Sequence, residues 1–450
     1  MAATLPQSGS ADAGVTVSAR MNYKELMANA GTGWICVADK AAYQKTSLAK
    51  TFSVSTIANY VNQFNDSRGA SGAPLSSGVS AEFQMFQTEQ TSPGWSNNSL
   101  NRDGGATKQN GVNFNFGMLV AIDVNDEYKQ KFFVVDRNNH RILIFNAIPA
   151  SNAVNPDVVV GQAGFTSGAS ATTASGFNEP TAVAVCADGK MFVADSQNNR
   201  VAGFNRVPTA NGASMDFVLG QTNFTTGTAT AVSATTLSVP YGVACISSRL
   251  YIADRGYNRI VVHSAVPTAN TAASFAIGQA NLAAGGSGTD YSGTPYLNEP
   301  VQVLYTGSQF FITEALNHRV VVFSSLPSAA GAMPTYRIGQ ALITGGAANQ
   351  GGANPTQSSL SGPLGMAYRS GKLAIADTDN HRLMFYDLPI TANNPNATHQ
   401  MGQANFTTGT LPGTTARGTF NSPKDVLFDG NYIRVQDRGN NRLQVVSLPF

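Results

Sequence analysis

A short polar string, an acid followed five residues later by an arginine, recurs six times in this chain and constrains the fold more than any other feature. The copies are DRNNHR (136–141), DSQNNR (195–200), DRGYNR (254–259), EALNHR (314–319), DTDNHR (377–382) and DRGNNR (437–442). The steps between their final arginines are 59, 59, 60, 63 and 60 residues. A period of this length indicates a repeat architecture.

Each copy lies in the same frame of short apolar runs. One run precedes it, such as KFFVV, and another follows it, such as ILIF; then come a proline and a third run ending in Gly-Gln. A further run that begins with proline, such as PTAVAV (180–185), opens the next unit. Short runs rich in Val, Ile, Phe and Tyr between turn residues are typical of strands. Six units of four strands each predict an all-β, six-bladed propeller.

The repeated string resembles the NHL repeat, in which an acid precedes Asn-His-Arg and a hydrophobic strand follows. The resemblance covers about residues 80–450, with one departure: DRGYNR carries Tyr257 where the other copies carry Asn. It implies a six-bladed propeller and leaves the function open. Some propellers of this kind are lactonases or lyases, and others bind RNA.

The predicted ring needs a strand from upstream to close. Five Gly-Gln strands serve six units, and the last unit ends at VVSLPF after its third strand. An open edge would be able to pair with another chain. We therefore predict that Ala81–Gln90 (AEFQMFQTEQ) pairs with 442–448. This divides the chain into an N-terminal arm or docking segment with its linker (1–80) and the propeller (81–450).

The repeated string itself is predicted to be a structural turn between the second and third strands. Asp and Asn suit a tight turn, and an arginine beside an acid can be buried where a lone charge cannot. No catalytic residue is expected among these acids and arginines, since a chemical site rarely needs six copies; the histidines of the string (His140, His318, His381) are interpreted in the same way. The twelve residues are Asp136, Arg141, Asp195, Arg200, Asp254, Arg259, Glu314, Arg319, Asp377, Arg382, Asp437 and Arg442.

Composition excludes several classes of function. Charged residues make up 12% of the chain, with 28 Lys and Arg against 26 Asp and Glu, so no basic stripe is available for nucleic acid or an anionic membrane. The sequence shows neither a signal peptide nor an apolar run of the ~18 residues that span a membrane. The location stays open between an extracellular particle, such as a virion, and the cytoplasm. Cys36, Cys186 and Cys245 form no paired spacing, so neither a disulfide nor a zinc site is expected.

Polar residues on the predicted inner strands are few. They include Thr181, Gln302 and Lys424, together with Asp123 and Asp425. The one metal hypothesis is a cation in the central channel held by Asp123 and Asp425. No other cofactor is predicted, because the sequence contains no P-loop, HExxH or GxSxG string.

Three functions fit these observations. The first is a non-enzymatic interaction or structural module, a propeller platform that docks through residues 1–80 onto protein partners or its own copies, as in a phage tail or capsid surface. It follows from the scarcity of surface charge. The alternative is a hydrolase or lyase with its site at the mouth of the central channel. A third is binding of a glycan or receptor by the long loops around Tyr291 and Tyr296.

Overall fold

The structure of the protein is a computed structural model, which describes residues 15–17, 50–52, 81–85, 119–123, 130–149, 154–290, 292–293, 296–413, 418–429 and 432–447. Two short strands precede the repeats, β1 (Val15–Val17) and β2 (Lys50–Phe52), and pair antiparallel with each other. The division of the chain between residues 80 and 81 stays a prediction.

Six four-stranded antiparallel sheets follow, each contributing one blade. From the inner strand outward, the first three blades are β4 (Leu119–Asp123), β5 (Gln130–Asp136), β6 (Arg141–Phe145) and β7 (Val158–Val160); β8 (Pro180–Val185), β9 (Met191–Asp195), β10 (Arg200–Phe204) and β11 (Phe217–Leu219); β12 (Pro240–Ile246), β13 (Arg249–Asp254), β14 (Arg259–His263) and β15 (Phe275–Ile277). The last three are β16 (Pro300–Tyr305), β17 (Phe310–Glu314), β18 (Arg319–Phe323) and β19 (Tyr336–Ile338); β20 (Pro363–Arg369), β21 (Lys372–Asp377), β22 (Arg382–Asp387) and β23 (His399–Met401); β24 (Pro423–Asp429), β25 (Tyr432–Asp437), β26 (Arg442–Ser447) and β3 (Ala81–Met85).

The inner strands form a closed ring, in which each contacts the inner strands of the two neighbouring blades. The all-β, six-bladed propeller predicted from the repeat is confirmed. The prediction of ring closure is confirmed for Ala81–Met85: β3 pairs with β26, so that Met85 lies opposite Leu443 and Ala81 opposite Val446. The rest of the predicted closing segment lies outside the described residues.

The core lies between the blades, because each sheet is covered on both faces. β6 is buried at all five positions. Alternate residues of a strand face opposite neighbours, as the pleat requires. Phe133 of the first blade packs with Val183 and Val193 of the second, whereas Phe132 packs toward Leu443 of the last. Strands that are apolar at successive positions therefore fit a blade with two covered faces.

The repeated string forms a single turn between the second and third strands of each blade, and this turn is a 3-10 segment in every blade but the fourth. In five blades the turn is assigned as Arg137–Asn139, Ser196–Asn198, Arg255–Tyr257, Thr378–Asn380 and Arg438–Asn440. In all six blades the arginine Nε lies 2.6 to 2.7 Å from a carboxylate oxygen of the acid, and both side chains are fully buried. The Tyr257 copy keeps this bond, at 2.7 Å. The face of the ring that carries these turns is called the turn face below.

In the second to fifth blades the buried arginine also donates hydrogen bonds to the loop before and the loop after its blade. The Arg200 guanidinium donates to the carbonyl of Phe224 at 2.5 Å and to those of Thr173 and Gly176 at 2.9 Å. Phe224 itself packs against the core. Because the loops before and after the blade bond to the same side chain, one ion pair organises most of the turn face of that blade.

One cysteine prediction is wrong, because the structure contains a disulfide between Cys186 and Cys245. Their separation of 59 residues equals one repeat, and their Cα atoms lie 5.2 Å apart. Both cysteines stand near the hairpin end of an inner strand, in adjacent blades. Equivalent positions of neighbouring repeats become neighbours in space, so the informative spacing was the repeat length and not a short Cys-x-x-Cys pattern.

Within the part of the chain that the structure describes, no helix is long and apolar enough to cross a membrane.

Candidate functional site

The six copies of the repeat serve as internal controls that separate residues needed by the fold from residues that are not. The position after the motif acid holds Ser196 in the second blade and Thr378 in the fifth, and each hydroxyl donates to the carbonyl of the proline that starts the next inner strand. The fourth blade has Ala315 there, so the fold does not require a polar group. The other three blades have arginines: Arg137, Arg255 and Arg438.

A second such position follows the proline that opens an inner strand. Its occupants in blades two to six are Thr181, Tyr241, Val301, Leu364 and Lys424. Val301 and Leu364 pack with Tyr241 in one buried cluster. The opening proline of an inner strand lies opposite the motif acid of its own blade, which places this position on the turn face beside the ring axis. An apolar residue is sufficient for packing here, so Tyr241 and Lys424 carry groups that the fold does not demand.

Tyr241 and Lys424 meet across the ring axis. Tyr241 lies on β12 in the third blade and Lys424 on β24 in the sixth, so two blades lie between them in either direction. The Lys424 Nζ is within hydrogen-bond distance of the Tyr241 hydroxyl and 4.8 Å from the centre of its ring. The Arg255 guanidinium lies 5.4 Å from the same ring centre. These side chains therefore converge at the mouth of the central channel.

The surroundings favour the neutral form of both groups. Burial lowers the pKa of the Lys424 amine well below its usual value; the charges of Arg438, Arg137 and Arg255 lower it further, and Asp425 opposes them. Burial also raises the pKa of the Tyr241 hydroxyl. Their exposed fractions are 1% for Lys424 and 2% for Tyr241. A neutral amine beside a phenol is a pair that can accept and donate a proton.

Two of the arginines form ion pairs that bridge neighbouring blades. Arg137 pairs with Glu179, and Arg255 pairs with Glu299. Both glutamates stand just before the proline that opens the next inner strand, and both have positive φ, 50° and 49°. About a third of the Arg255 side chain is exposed. Solvent therefore reaches this arginine, whereas the Lys424 amine and the Tyr241 hydroxyl are buried.

We refer to these residues together as the channel-mouth cluster: Arg137, Glu179, Tyr241, Arg255, Glu299, Lys424, Asp425 and Arg438. Sequence reasoning singled out Lys424 and Asp425 as polar inner-strand residues but missed Tyr241 and the three arginines. The signal was present in the comparison of equivalent repeat positions, where some copies carry arginine, tyrosine or lysine and others carry small or apolar residues.

The structure places the backbone of Asp123 and of Asp425, the two residues of the predicted cation site, at different ends of their strands, and the cation itself stays a prediction. Asp123 lies opposite Gln130 at the hairpin end of β4, whereas Asp425 lies opposite Gln436 near the turn end of β24. The two positions differ by five residues along equivalent strands, about 16 Å at the usual rise per residue. Among the residues that the structure describes, no group of three or more His, Cys, Asp or Glu side chains is placed to hold a metal ion.

Of the two tyrosines proposed to contact a glycan, the structure describes Tyr296. Tyr296 is fully buried, and its hydroxyl donates to the carbonyl of Ala332 at 2.7 Å. It packs with Leu297 in the core between the third and fourth blades, so Tyr296 is not available to a ligand and this part of the prediction is wrong. Tyr291 lies outside the described residues.

No protein-family model and no curated protein sequence matches the chain. Several solved structures are similar. They include a periplasmic gluconolactonase of Pseudomonas aeruginosa (15% identity, TM-score 0.45, covering 74% of this chain and 80% of that one) and an auxiliary nutrient binding protein of Bacteroides ovatus (12%, 0.46, 77% and 71%). A third is the virginiamycin B lyase of Staphylococcus aureus (12%, 0.35, 76% and 97%). At these identities and TM-scores the likeness concerns the fold and says nothing about this chain's substrate.

The comparison does correct one expectation. The prediction of a non-enzymatic structural module, docked into a virion or a similar particle, took the propeller to be a passive platform. It is wrong on this finding, because similar chains include a gluconolactonase and a lyase.

Proposed function

We propose that the protein is an enzyme, a hydrolase or lyase that works by proton transfer at the mouth of the central channel. The observation that carries this proposal is the contact between the Lys424 amine and the Tyr241 hydroxyl, beside three arginines that the repeat does not require. The NHL-like string then supplies the scaffold, and the channel-mouth cluster supplies the chemistry.

Each residue has a role that follows from its charge state. The neutral Lys424 amine is the general base, which removes a proton from an attacking water in hydrolysis or from a carbon beside a carbonyl in elimination. In both reactions negative charge develops on a substrate oxygen. The guanidinium groups of Arg255 and Arg438 stabilise that charge. The Tyr241 hydroxyl, kept protonated by burial, donates a proton to the leaving oxygen and regains one from the lysine ammonium.

The experiment is a screen of lactones, esters and β-elimination substrates, followed by the variant Lys424→Met. Loss of a general base lowers kcat by roughly 100-fold or more. With the native protein, kcat/KM rises with pH through a group whose pKa lies below the usual 10.5 of lysine, because burial and the arginines disfavour the ammonium. The matched control is Lys190→Met, which removes a lysine from a β8–β9 hairpin on the opposite face.

Two results would contradict the proposal. One is the absence of turnover across the whole panel. The other is a turnover rate that is equally high in the Lys424→Met and Lys190→Met variants. The variant Tyr241→Phe is a second check that keeps the amine and the ring: it should lower kcat more than it raises KM, because it removes only the proton donor.

A further inference from the structure

Tyr241 and Lys424 both lie at irregular points of their strands, where the regular pairing of the sheet does not hold them. The register of β12 shifts between Pro240 and Val243, and that of β24 shifts between Pro423 and Asp425. A shift of this kind is a β-bulge, in which an extra residue bends the strand and re-aims its side chain. Proton transfer needs the amine and the phenol within hydrogen-bond distance of each other. Contacts from outside the strand must therefore fix the two bulges.

The bulge of β12 is held by two hydroxyl groups of the second blade. Ser196 follows the motif acid and donates to the carbonyl of Pro240, which belongs to the peptide group before Tyr241. Thr181, at the second position of β8, donates to the carbonyl of Tyr241 at 2.6 Å. The two hydroxyl oxygens lie 2.6 Å apart, and both side chains are fully buried. The neighbouring blade therefore binds the peptide groups on both sides of Tyr241.

The bulge of β24 is held in a similar way by the fifth blade. Thr378 follows the motif acid there, and its hydroxyl donates to the carbonyl of Pro423 at 2.8 Å. That carbonyl belongs to the peptide group directly before Lys424. Because Thr378 is buried, water does not compete for this bond. One hydroxyl therefore fixes the backbone from which the amine extends.

These hydroxyls occur only where the next inner strand carries the phenol or the amine. Ser196 precedes the strand of Tyr241. Three blades further round the ring, Thr378 precedes the strand of Lys424. The other four blades have no hydroxyl at this position, which holds Arg137, Arg255, Ala315 and Arg438. The register of β20 shifts in the same way although Ala315 precedes it, so the bulge itself forms without a hydroxyl.

We propose that Ser196 and Thr378 are positioning residues, which hold the channel-mouth phenol and amine in contact across the ring axis. This deepens the proposed function and rests on the same site. Each hydroxyl acts through the peptide group that precedes the reacting side chain. Without the hydroxyl that peptide group is able to rotate, and a misplacement of about 1 Å at a reacting group is enough to lower a rate roughly 100-fold.

The two blades supply the variants for a test on the full chain. Thr378→Val keeps the shape of the side chain and removes its hydroxyl, whereas Thr378→Ser keeps the hydroxyl, as the second blade does with Ser196. The matched control is Thr313→Val, which removes a fully buried hydroxyl that accepts the backbone N–H of Gln302 at 3.0 Å. That bond holds β16, an inner strand with neither an amine nor a phenol at its second position.

The kinetic result follows from the loss of alignment. On a substrate that the native protein turns over, we expect kcat to fall roughly 10- to 100-fold in Thr378→Val, with KM little changed. Turnover should recover in Thr378→Ser and stay at the native rate in Thr313→Val. Ser196→Ala should have a smaller effect than Thr378→Val, because Thr181 still binds the peptide group after Tyr241, and Ser196→Thr should restore the native rate.

A second readout detects the contact itself and needs no turnover. In deuterated protein with protonated lysine and tyrosine, a nuclear Overhauser effect should join the Lys424 side chain to the Tyr241 ring, since the amine lies 4.8 Å from the ring centre. Its absence from Lys424→Met assigns the signal. We expect the effect to weaken in Thr378→Val and Ser196→Ala, and to persist in Thr378→Ser, Ser196→Thr and Thr313→Val. Thermal unfolding identifies any variant that does not fold, and the other hydroxyl then decides.

The outcomes separate this proposal from the proposed function. A native protein without the Overhauser effect, or an effect equally strong in Thr378→Val, Ser196→Ala and Thr313→Val, would overturn the positioning role. An effect that weakens only in the variants without these hydroxyls, in a protein without turnover, supports the positioning role and contradicts the enzyme. Turnover that needs Lys424 but is equal in Thr378→Val and Thr313→Val supports the enzyme and contradicts the positioning role.

Discussion

At the scale of single residues, the last position before the motif arginine joins each of the first five blades to the next. In three blades this residue is a histidine with φ near +50°, whose Nδ1 accepts the backbone N–H of a residue at the start of the next unit. The bonds are Glu179 N–H to His140 at 3.0 Å, Gly362 N–H to His318 at 2.9 Å and Ser422 N–H to His381 at 3.0 Å. In the second and third blades the Oδ1 of Asn199 and Asn258 accepts the equivalent bond.

Asparagine makes the same bond as histidine but does not titrate, so the two kinds of blade should respond differently to pH. A ring nitrogen can accept a backbone N–H only when that nitrogen is unprotonated, and burial lowers the pKa of His140, His318 and His381 from the usual 6.5. Below that value the unfolded chain takes up protons that the folded chain does not. The free energy of unfolding therefore falls as pH decreases from about 7 to 5.

The triple variant His140→Asn, His318→Asn and His381→Asn should keep the stability of the native protein at pH 7.5 and lose less of it at pH 5. Denaturant unfolding at both values measures this difference. His263, whose pKa burial lowers to about 4, remains in both proteins and cancels from the comparison. Equal losses of stability in the two proteins would show that protonation of these histidines does not weaken the contacts between blades.

At the scale of the strand pair, β21 and β22 carry two cross-strand ion pairs that differ chiefly in burial. Asp377 and Arg382 lie at the turn end, fully buried, at 2.7 Å. Lys372 and Asp387 lie at the other end, with 29% and 61% of their side chains exposed. Burial raises the pKa of the Asp377 carboxyl, and Arg382, a backbone N–H and the Asn380 amide oppose that rise.

Removal of one partner should therefore have unequal consequences at the two ends. Arg382→Met leaves a buried acid without its cation, which typically costs about 3–5 kcal/mol. Lys372→Met breaks an exposed pair and should cost about 0–1 kcal/mol. Denaturant unfolding of the two single variants gives the comparison directly. Losses of similar size would mean that the buried pair is not what holds the turn and its two loops in place.

At the scale of the whole molecule, sequence alone predicted the ring, its blade number and its closing strand, because each follows from a pattern repeated six times. The channel-mouth cluster was only partly predicted. Lys424 stood out as a charge on an apolar strand, but Tyr241 looked like an ordinary strand aromatic. Arg255 looked like one more charge in a polar turn. Their convergence depends on the ring geometry, which brings the third and sixth blades together at the axis.

The disulfide and Tyr296 show the same limit. Cys186 and Cys245 are unrelated in sequence until blades are placed side by side, and Tyr296 sits in a loop rich in Gly and Ser yet points into the core. Local patterns predict what a strand or turn does within one blade. Contacts between blades depend on which equivalent positions face each other, and that is set by the closed ring.

Closure of the ring is itself open to test, because one short strand completes the last blade. β3 covers β26, whose Leu443 and Val445 are fully buried. A chain that begins at Ser80 keeps β3, and one that begins at Ser92 lacks it while retaining all other strands of the six blades. We expect the first to unfold at the same temperature as the full chain. The second should unfold at a lower temperature, because β26 becomes an edge strand with exposed apolar residues.

The same exposed edge strand predicts that the chain beginning at Ser92 self-associates. An unpaired strand with free backbone N–H and C=O groups can pair with another copy, so light scattering should show association that increases with protein concentration. The chain that begins at Ser80 controls for loss of the preceding residues. If both truncated chains have equal unfolding temperatures and the same mass, then β3 does not close the ring. The contacts between the first and last blades would then be sufficient to hold it together.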